Sequence, residues 1–201
     1  MDTVDERDDA PRGGRVVVGV SGTISSLEAL RVGTEEARRT GRELLVVLAW
    51  TPPGGELGYR RMPVPDLLKL WERDAVGRLE DTFDDAFGGL AAMPPLTGGL
   101  TRLVVRGEPG RALVELADRP DDLLVLGAGE RGWPARWLHG TVSRYCVKRA
   151  GCRVLAVPPP ALLTALPAWQ RHQVATRTRM DAPPARMERV KTDRHDRPAR
   201  F

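Results

Sequence analysis

The chain has 201 residues, 41% of them hydrophobic, which allows one well-packed domain with length to spare. Its formal charge of +4 is concentrated in residues 171–201, where nine Arg and Lys face four Asp and Glu. The rest of the chain is near neutral, so the basic balance does not mark the folded part as a nucleic-acid binder. Nowhere does an apolar run approach the roughly 20 residues of a membrane-spanning helix.

Residues 1–14, MDTVDERDDAPRGG, are charged, lack apolar periodicity and are acidic where a secretory signal would be basic and then apolar. They read as a disordered acidic arm of a cytoplasmic protein. A domain is expected over residues 15–160. It opens with RVVVGV, a continuous β-branched run suited to a parallel strand buried on both faces. The spacing of Leu27, Leu30, Thr34 and Ala37 predicts a helix from about Ser25 to Thr40, stopped by Gly41. ELLVVLAW is the second strand and ends at TPPGG. A stretch with aromatic and proline residues then leads into a long helix from about Asp66 to Phe87, closed by Gly88-Gly89.

LTRLVVRG is the third strand, EPGRALVELAD a short helix with proline near its start, and DDLLVLGAG the fourth strand. After a loop rich in Gly and Trp, GTVSRYCVKRAG predicts the last helix and CRVLAVPPP the last strand, ended by its three prolines. Strands alternating with helices imply a single α/β domain built on a five-stranded, parallel, doubly wound sheet. Residues 161–201 are Arg-rich and broken by proline, and are expected to form a basic, disordered tail. The tail has one aromatic beyond residue 170, Phe201, so contact with nucleic acid would be nonspecific and salt-sensitive.

Cys146, Cys152 and the scattered His139, His172 and His195 lack the clustered spacing of a metal site, and the two cysteines read as small buried hydrophobes. No catalytic residue is assigned, because no nucleophile-base pair or paired carboxylate can be placed in a common crevice from spacing.

In such a sheet ligands bind at the carboxyl ends of the strands, where the strand order reverses. The turns after strands one and four would meet there if the first strand is central. The second turn contains GAGERG, Gly127 to Gly132, a literal G-x-G-x-x-G. Its position after the fourth strand, with no helix directly following and no acidic residue at the end of the next strand, excludes a dinucleotide fingerprint. The first turn, VSGTISS, resembles a degraded pyrophosphatase loop in which Thr23 replaces a glycine and Ser25 an aspartate. A third reading joins Gly129, Gly132, Gly140 and Thr141: glycines that permit a nest of backbone N–H groups, then a helix amino terminus with hydroxyls at Thr141 and Ser143.

Through RVVVGVSGT, GEPGRALVELA, DDLLVLGAGERG and GTVSRYCVKRAGCRVLAVP, in that order and spacing, the chain resembles the universal stress protein family from about Arg15 to Pro159. The resemblance implies the strand order 3-2-1-4-5 and a G-x-x-G, nine residues, G-[ST] loop around the phosphates of ATP. Here Gly129, Gly132, Gly140 and Thr141 match, but the interval WPARWLH has seven residues and carries Trp133 and Trp137. Ser21 stands where ATP-binding members carry an aspartate. The resemblance places Ser21, Gly22 and Thr23 beside the nucleotide, Ala49 beside the adenine, and Gly127 in the floor. Ser21 and Thr23 also read as caps of the following helix.

The same resemblance implies a regulatory protein that binds ATP, with Mg2+, and at most hydrolyses it slowly. It is expected to form a homodimer through its apolar last strand, with an unidentified protein partner. The alternative is a member that has lost ATP and acts as a protein-interaction module, its Trp-bearing loop filling the crevice.

Overall fold

In the computed structural model, residues 13–128 and 142–160 are described. The elements run β1 (Val16–Val20), α1 (Ile24–Thr40), β2 (Leu44–Trp50), α2 (Gly55–Arg61), α3 (Pro65–Phe87), a 3-10 turn (Leu90–Ala92), β3 (Leu100–Arg106), α4 (Pro109–Leu116), β4 (Leu123–Gly127), α5 (Val142–Arg149) and β5 (Arg153–Val157). The five strands form one sheet in the order β3-β2-β1-β4-β5, and each neighbouring pair is parallel. The expected sheet and strand order are both present.

β1 is central because it is apolar on both faces. Its alternating side chains feed two cores. Val16, Val18 and Val20 join Leu44, Val46, Leu48, Leu30, Leu79 and Phe83 under α1 and α3. Val17 joins Leu45, Val47, Leu113, Leu124, Leu126 and Cys146 under α4 and α5. Val16, Val17 and Val18 have no exposed surface, and burial of each such side chain stabilises the fold by roughly 1.5–3 kcal/mol.

Helix α1 ends at Gly41, whose φ of 68° makes the left-handed stop expected there. The long helix α3 has no basic residue in its last turn. Its C-terminal carbonyls instead receive the Arg31 guanidinium from α1, with Nε donating to Ala86 O at 3.0 Å and Nη2 to Asp85 O at 3.3 Å. That contact brings a cation to the negative end of the helix dipole from a neighbouring element.

Between β2 and α3 the sequence shows only a stretch with aromatic and proline residues and no assigned element, yet Gly55–Arg61 form α2. Arg106 at the end of β3 holds it: Nε and Nη2 donate to the Glu56 carboxylate at 2.7 and 2.8 Å, and the guanidinium stacks 4.8 Å from the Tyr59 ring centroid. A seven-residue helix has too few internal hydrogen bonds to persist on propensity, so this long-range anchor explains it.

At the opposite edge of the sheet, Arg15 closes the start of β1 onto the start of β4. Its backbone N–H and Nη2 donate to the two carboxylate oxygens of Asp122 at 2.7 and 2.8 Å, and Nη2 also reaches Asp118. The Asp122 side chain is fully buried, so without this guanidinium it would be an uncompensated charge.

Candidate nucleotide site

The order β2-β1-β4 makes the gap between the C-terminal ends of β1 and β4 the point where the sheet switches direction. Two stretches of backbone meet there. After Val20 the chain turns through Ser21, Gly22 and Thr23 into α1, all three exposed to solvent. Gly22 has φ 71°, with open space where a Cβ would stand. On the other side, Gly127 at the end of β4 lies against the first turn of α1. A Cβ there would come within 2.6 Å of the Ser25 carbonyl carbon and 2.9 Å of the Ser26 nitrogen. Only glycine permits this approach, which sets the N-terminus of α1 on the floor of the crevice. The exposed N-terminal end of a helix carries partial positive charge and attracts anions.

The local hydrogen bonds decide what the first turn can offer. Thr23 is the N-cap of α1, and its Oγ1 accepts the Ser26 backbone N–H at 3.3 Å. The Ser26 hydroxyl oxygen in return accepts the backbone N–H of Thr23 at 3.1 Å and of Ser21 at 3.2 Å, while donating to Thr23 O at 2.8 Å. Two N–H groups that a phosphate would otherwise use are therefore taken. The hydroxyls of Ser21 and Thr23 are 3.2 Å apart. Two hydroxyls share one mutual hydrogen bond, so one hydrogen of the pair is left to point outward.

Ser143, in the first turn of α5, donates its hydroxyl hydrogen to the Gly127 carbonyl at 2.8 Å. A hydroxyl has one hydrogen, so in this arrangement it fastens α5 to β4 and has none to give a ligand. Ala49 is half-buried near the end of β2, in register with Val105. Thus Ser21, Gly22, Thr23 and Gly127 are brought together at the switch point, Ala49 lies one strand away on the same edge, and Ser143 reaches Gly127 from α5. Gly129, Gly132, Gly140 and Thr141, with Trp133 and Trp137, lie outside the described residues.

The sequence profile of the universal stress protein family matches residues 14–158. The chain belongs to that family. Its relatives include a universal stress protein of Mycobacterium tuberculosis (strain H37Rv), 29% identical over an alignment of 153 positions that covers 71% of this chain and 47% of the relative. This universal stress protein therefore spans about half the length of the curated relatives it matches.

Among solved structures, the universal stress protein UspA from Lactobacillus plantarum is 20% identical, with a TM-score of 0.52 over 74% of this chain and 99% of its own. A universal stress protein crystallised in complex with cAMP is 28% identical, with a TM-score of 0.48 over 74% of this chain and 99% of its own.

The expected aspartate of the family's first turn is replaced here by Ser21, so no carboxylate from that position faces the crevice. Among the described residues no group of three or more His, Cys, Asp or Glu could hold a metal ion. No described helix is long and apolar enough to cross a membrane. Both cysteines are free thiols, and burial pushes the Cys146 thiol up to about 11. Such a group is protonated and inert at neutral pH.

The role of Ser26 is silent in the sequence. The S/T-x-x-E/Q signature of a capping box has Glu or Gln at its fourth position, and a serine there carries no such signal. Ser143, which the sequence presents as a phosphate donor, is spent on a strand 16 residues earlier, and a pairing at that separation leaves no local mark.

Proposed function

We propose that this universal stress protein is a regulatory, stress-related nucleotide-binding protein whose ligand is an adenine nucleotide, ATP with Mg2+. The observation that carries this reading is the contact of Gly127 with the first turn of α1. It sets a helix N-terminus, with its dipole, on the crevice where a doubly wound sheet binds phosphates. The outward hydroxyl hydrogen of the Ser21–Thr23 pair and the half-buried Ala49 are compatible donors and contacts for the phosphates and the base. Gly129, Gly132, Gly140 and Thr141 supply the phosphate loop in this reading. Mg2+ would be held by phosphate oxygens and water, since Ser21 offers no carboxylate. The protein acts by binding rather than turnover, and dimerises through β5.

For the dimer, the supporting feature is the edge position of β5. Arg153, Leu155 and Ala156 are exposed along it, and the unpaired side of the strand offers main-chain groups to a second copy. A Leu155→Asp variant is expected to sediment as a monomer where the parent sediments as a dimer.

A second reading is supported by the donors already consumed. With the N–H groups of Ser21 and Thr23 on Ser26, and Ser143 on Gly127, the crevice has fewer donors than the sequence promised. On that reading the chain is a protein-interaction module that no longer binds ATP.

Freshly purified protein, denatured and chromatographed for released nucleotide, then titrated calorimetrically with MgATP, separates the two. Co-purified adenine nucleotide or micromolar binding, abolished by Gly140→Val without unfolding, supports the first reading. An empty protein that ignores MgATP supports the second.

A further inference from the structure

A surface groove of about 400 Å³ runs between α4 and α5, lined by Arg111, Val114, Glu115, Tyr145 and Arg149. Its carboxylate, Glu115, is tied to Arg111 at 2.7 Å. Across the groove the Arg149 guanidinium lies 5.6 Å from the Tyr145 ring centroid, exposed on its outer side. Helix α5 carries Arg144, Lys148 and Arg149 and no Asp or Glu. The α5 side of the groove is therefore positive.

The chain supplies a segment of opposite charge. Residues 1–12 contain Asp2, Asp5, Glu6, Asp8 and Asp9 against Arg7 and Arg12. The described chain begins at Gly13, whose carbonyl accepts from Arg119 Nη1 at 3.5 Å, and Arg15 is bonded to Asp118 and Asp122. All three partners lie just beyond the C-terminal end of α4. Since α4 and α5 are both return crossovers in a parallel sheet, they run in the same direction, and Arg149 marks the end of α5 at that same edge. The described chain thus begins beside the mouth of the groove.

Reach is ample. Twelve residues span up to ~40 Å when extended, against ~12 Å for the eight residues of α4. The other face of the sheet repels such a segment, because α3 carries seven Asp and Glu and three Lys and Arg.

We propose that the α4–α5 groove is the docking site for the chain's own acidic segment, residues 1–12. Asp and Glu side chains pair with Lys148 and Arg149, and the contact screens this basic helix from other anions. The interaction is electrostatic and solvent-exposed, so it weakens when salt shortens the Debye length from about 10 Å at 0.1 M to well below that at higher concentration.

The test uses the full chain, treated with a carbodiimide that joins carboxylates to amines at low ionic strength and mapped by mass spectrometry. The chain has three lysines, Lys69, Lys148 and Lys191. The expected product joins residues 1–12 to Lys148 within a monomer, in preference to Lys69 and Lys191. Its yield should fall about tenfold in 0.5 M salt as screening sets in. Arg149→Glu, at an exposed position, should lower the yield similarly without changing the unfolding temperature. Absence of the Lys148 product, a yield insensitive to salt, or a product confined to covalent dimers would overturn the proposal.

Discussion

The hydroxyl of Ser143 donates to the carbonyl oxygen of Gly127 at 2.8 Å, joining the first turn of α5 to the last residue of β4. A part-buried carbonyl left without its donor costs about 1–3 kcal/mol. Ser143→Ala is therefore expected to lower stability by about 1 kcal/mol, read as a lower urea midpoint with unchanged slope. An unchanged midpoint would show that the hydroxyl is not committed to Gly127.

The contact between Gly127 and α1 is backbone against backbone, so a side chain cannot be accommodated by a rotamer change. Gly127→Ala should displace the helix start, cost about 1–3 kcal/mol and weaken any nucleotide binding by calorimetry. Gly88→Ala is the matched control. It meets open space at the end of α3, and its φ of 79° costs roughly 1–2 kcal/mol of strain away from the crevice. Equal loss of binding in both variants would remove the special role given to Gly127.

Burial tends to raise the Asp122 carboxyl, but hydrogen bonds and charge from Arg15 outweigh it and hold the group below its usual value of 3.8. A carboxyl lowered in the folded state contributes stability that is present above its unfolded value and lost as pH falls through the folded one. Unfolding free energy should therefore decline on acidification below about pH 4, and that component of the decline should vanish in Asp122→Asn. The substitution also leaves Arg15 without its main charge partner, so the variant should be less stable at pH 7. Denaturant titrations at stepped pH measure both effects.

Burial is the main cause that raises the Cys146 thiol to about 11, with a smaller contribution from Cys152. The native state keeps this proton when the unfolded chain has lost it. Stability is accordingly full below the unfolded thiol value near 9 and declines as pH rises from there toward 11. At pH 8 iodoacetamide should label the partly exposed Cys152 first and reach Cys146 only as the chain opens, a sequence that mass spectrometry resolves. Simultaneous labelling would contradict the burial.

How much was readable differs between elements for local physical reasons. The strands and the four longer helices carry their periodicity in consecutive residues: VVV at the start of β1, Leu27, Leu30, Thr34 and Ala37 along α1, and glycine stops at Gly41 and Gly88. Helix α2 has no such pattern, because what holds it is Arg106, some fifty residues away. The cap of α3 by Arg31 is equally silent in sequence, since the cation sits on another helix. At the site, the glycines and hydroxyls of the two turns were visible as residue types. Their partners were not.

The sequence by itself determined that this universal stress protein has a two-faced parallel sheet with Gly- and hydroxyl-bearing turns at its carboxyl edge, since burial periodicity and turn chemistry act over a few residues. Tertiary structure alone decided how those turns are used. Ser26 satisfies the N–H groups of Ser21 and Thr23, Ser143 is committed to Gly127, and α1 rests against β4 where only a missing side chain allows it. Hydrogen-bond donors are assigned by which groups packing brings within about 3 Å, and that depends on contacts between residues far apart in the chain.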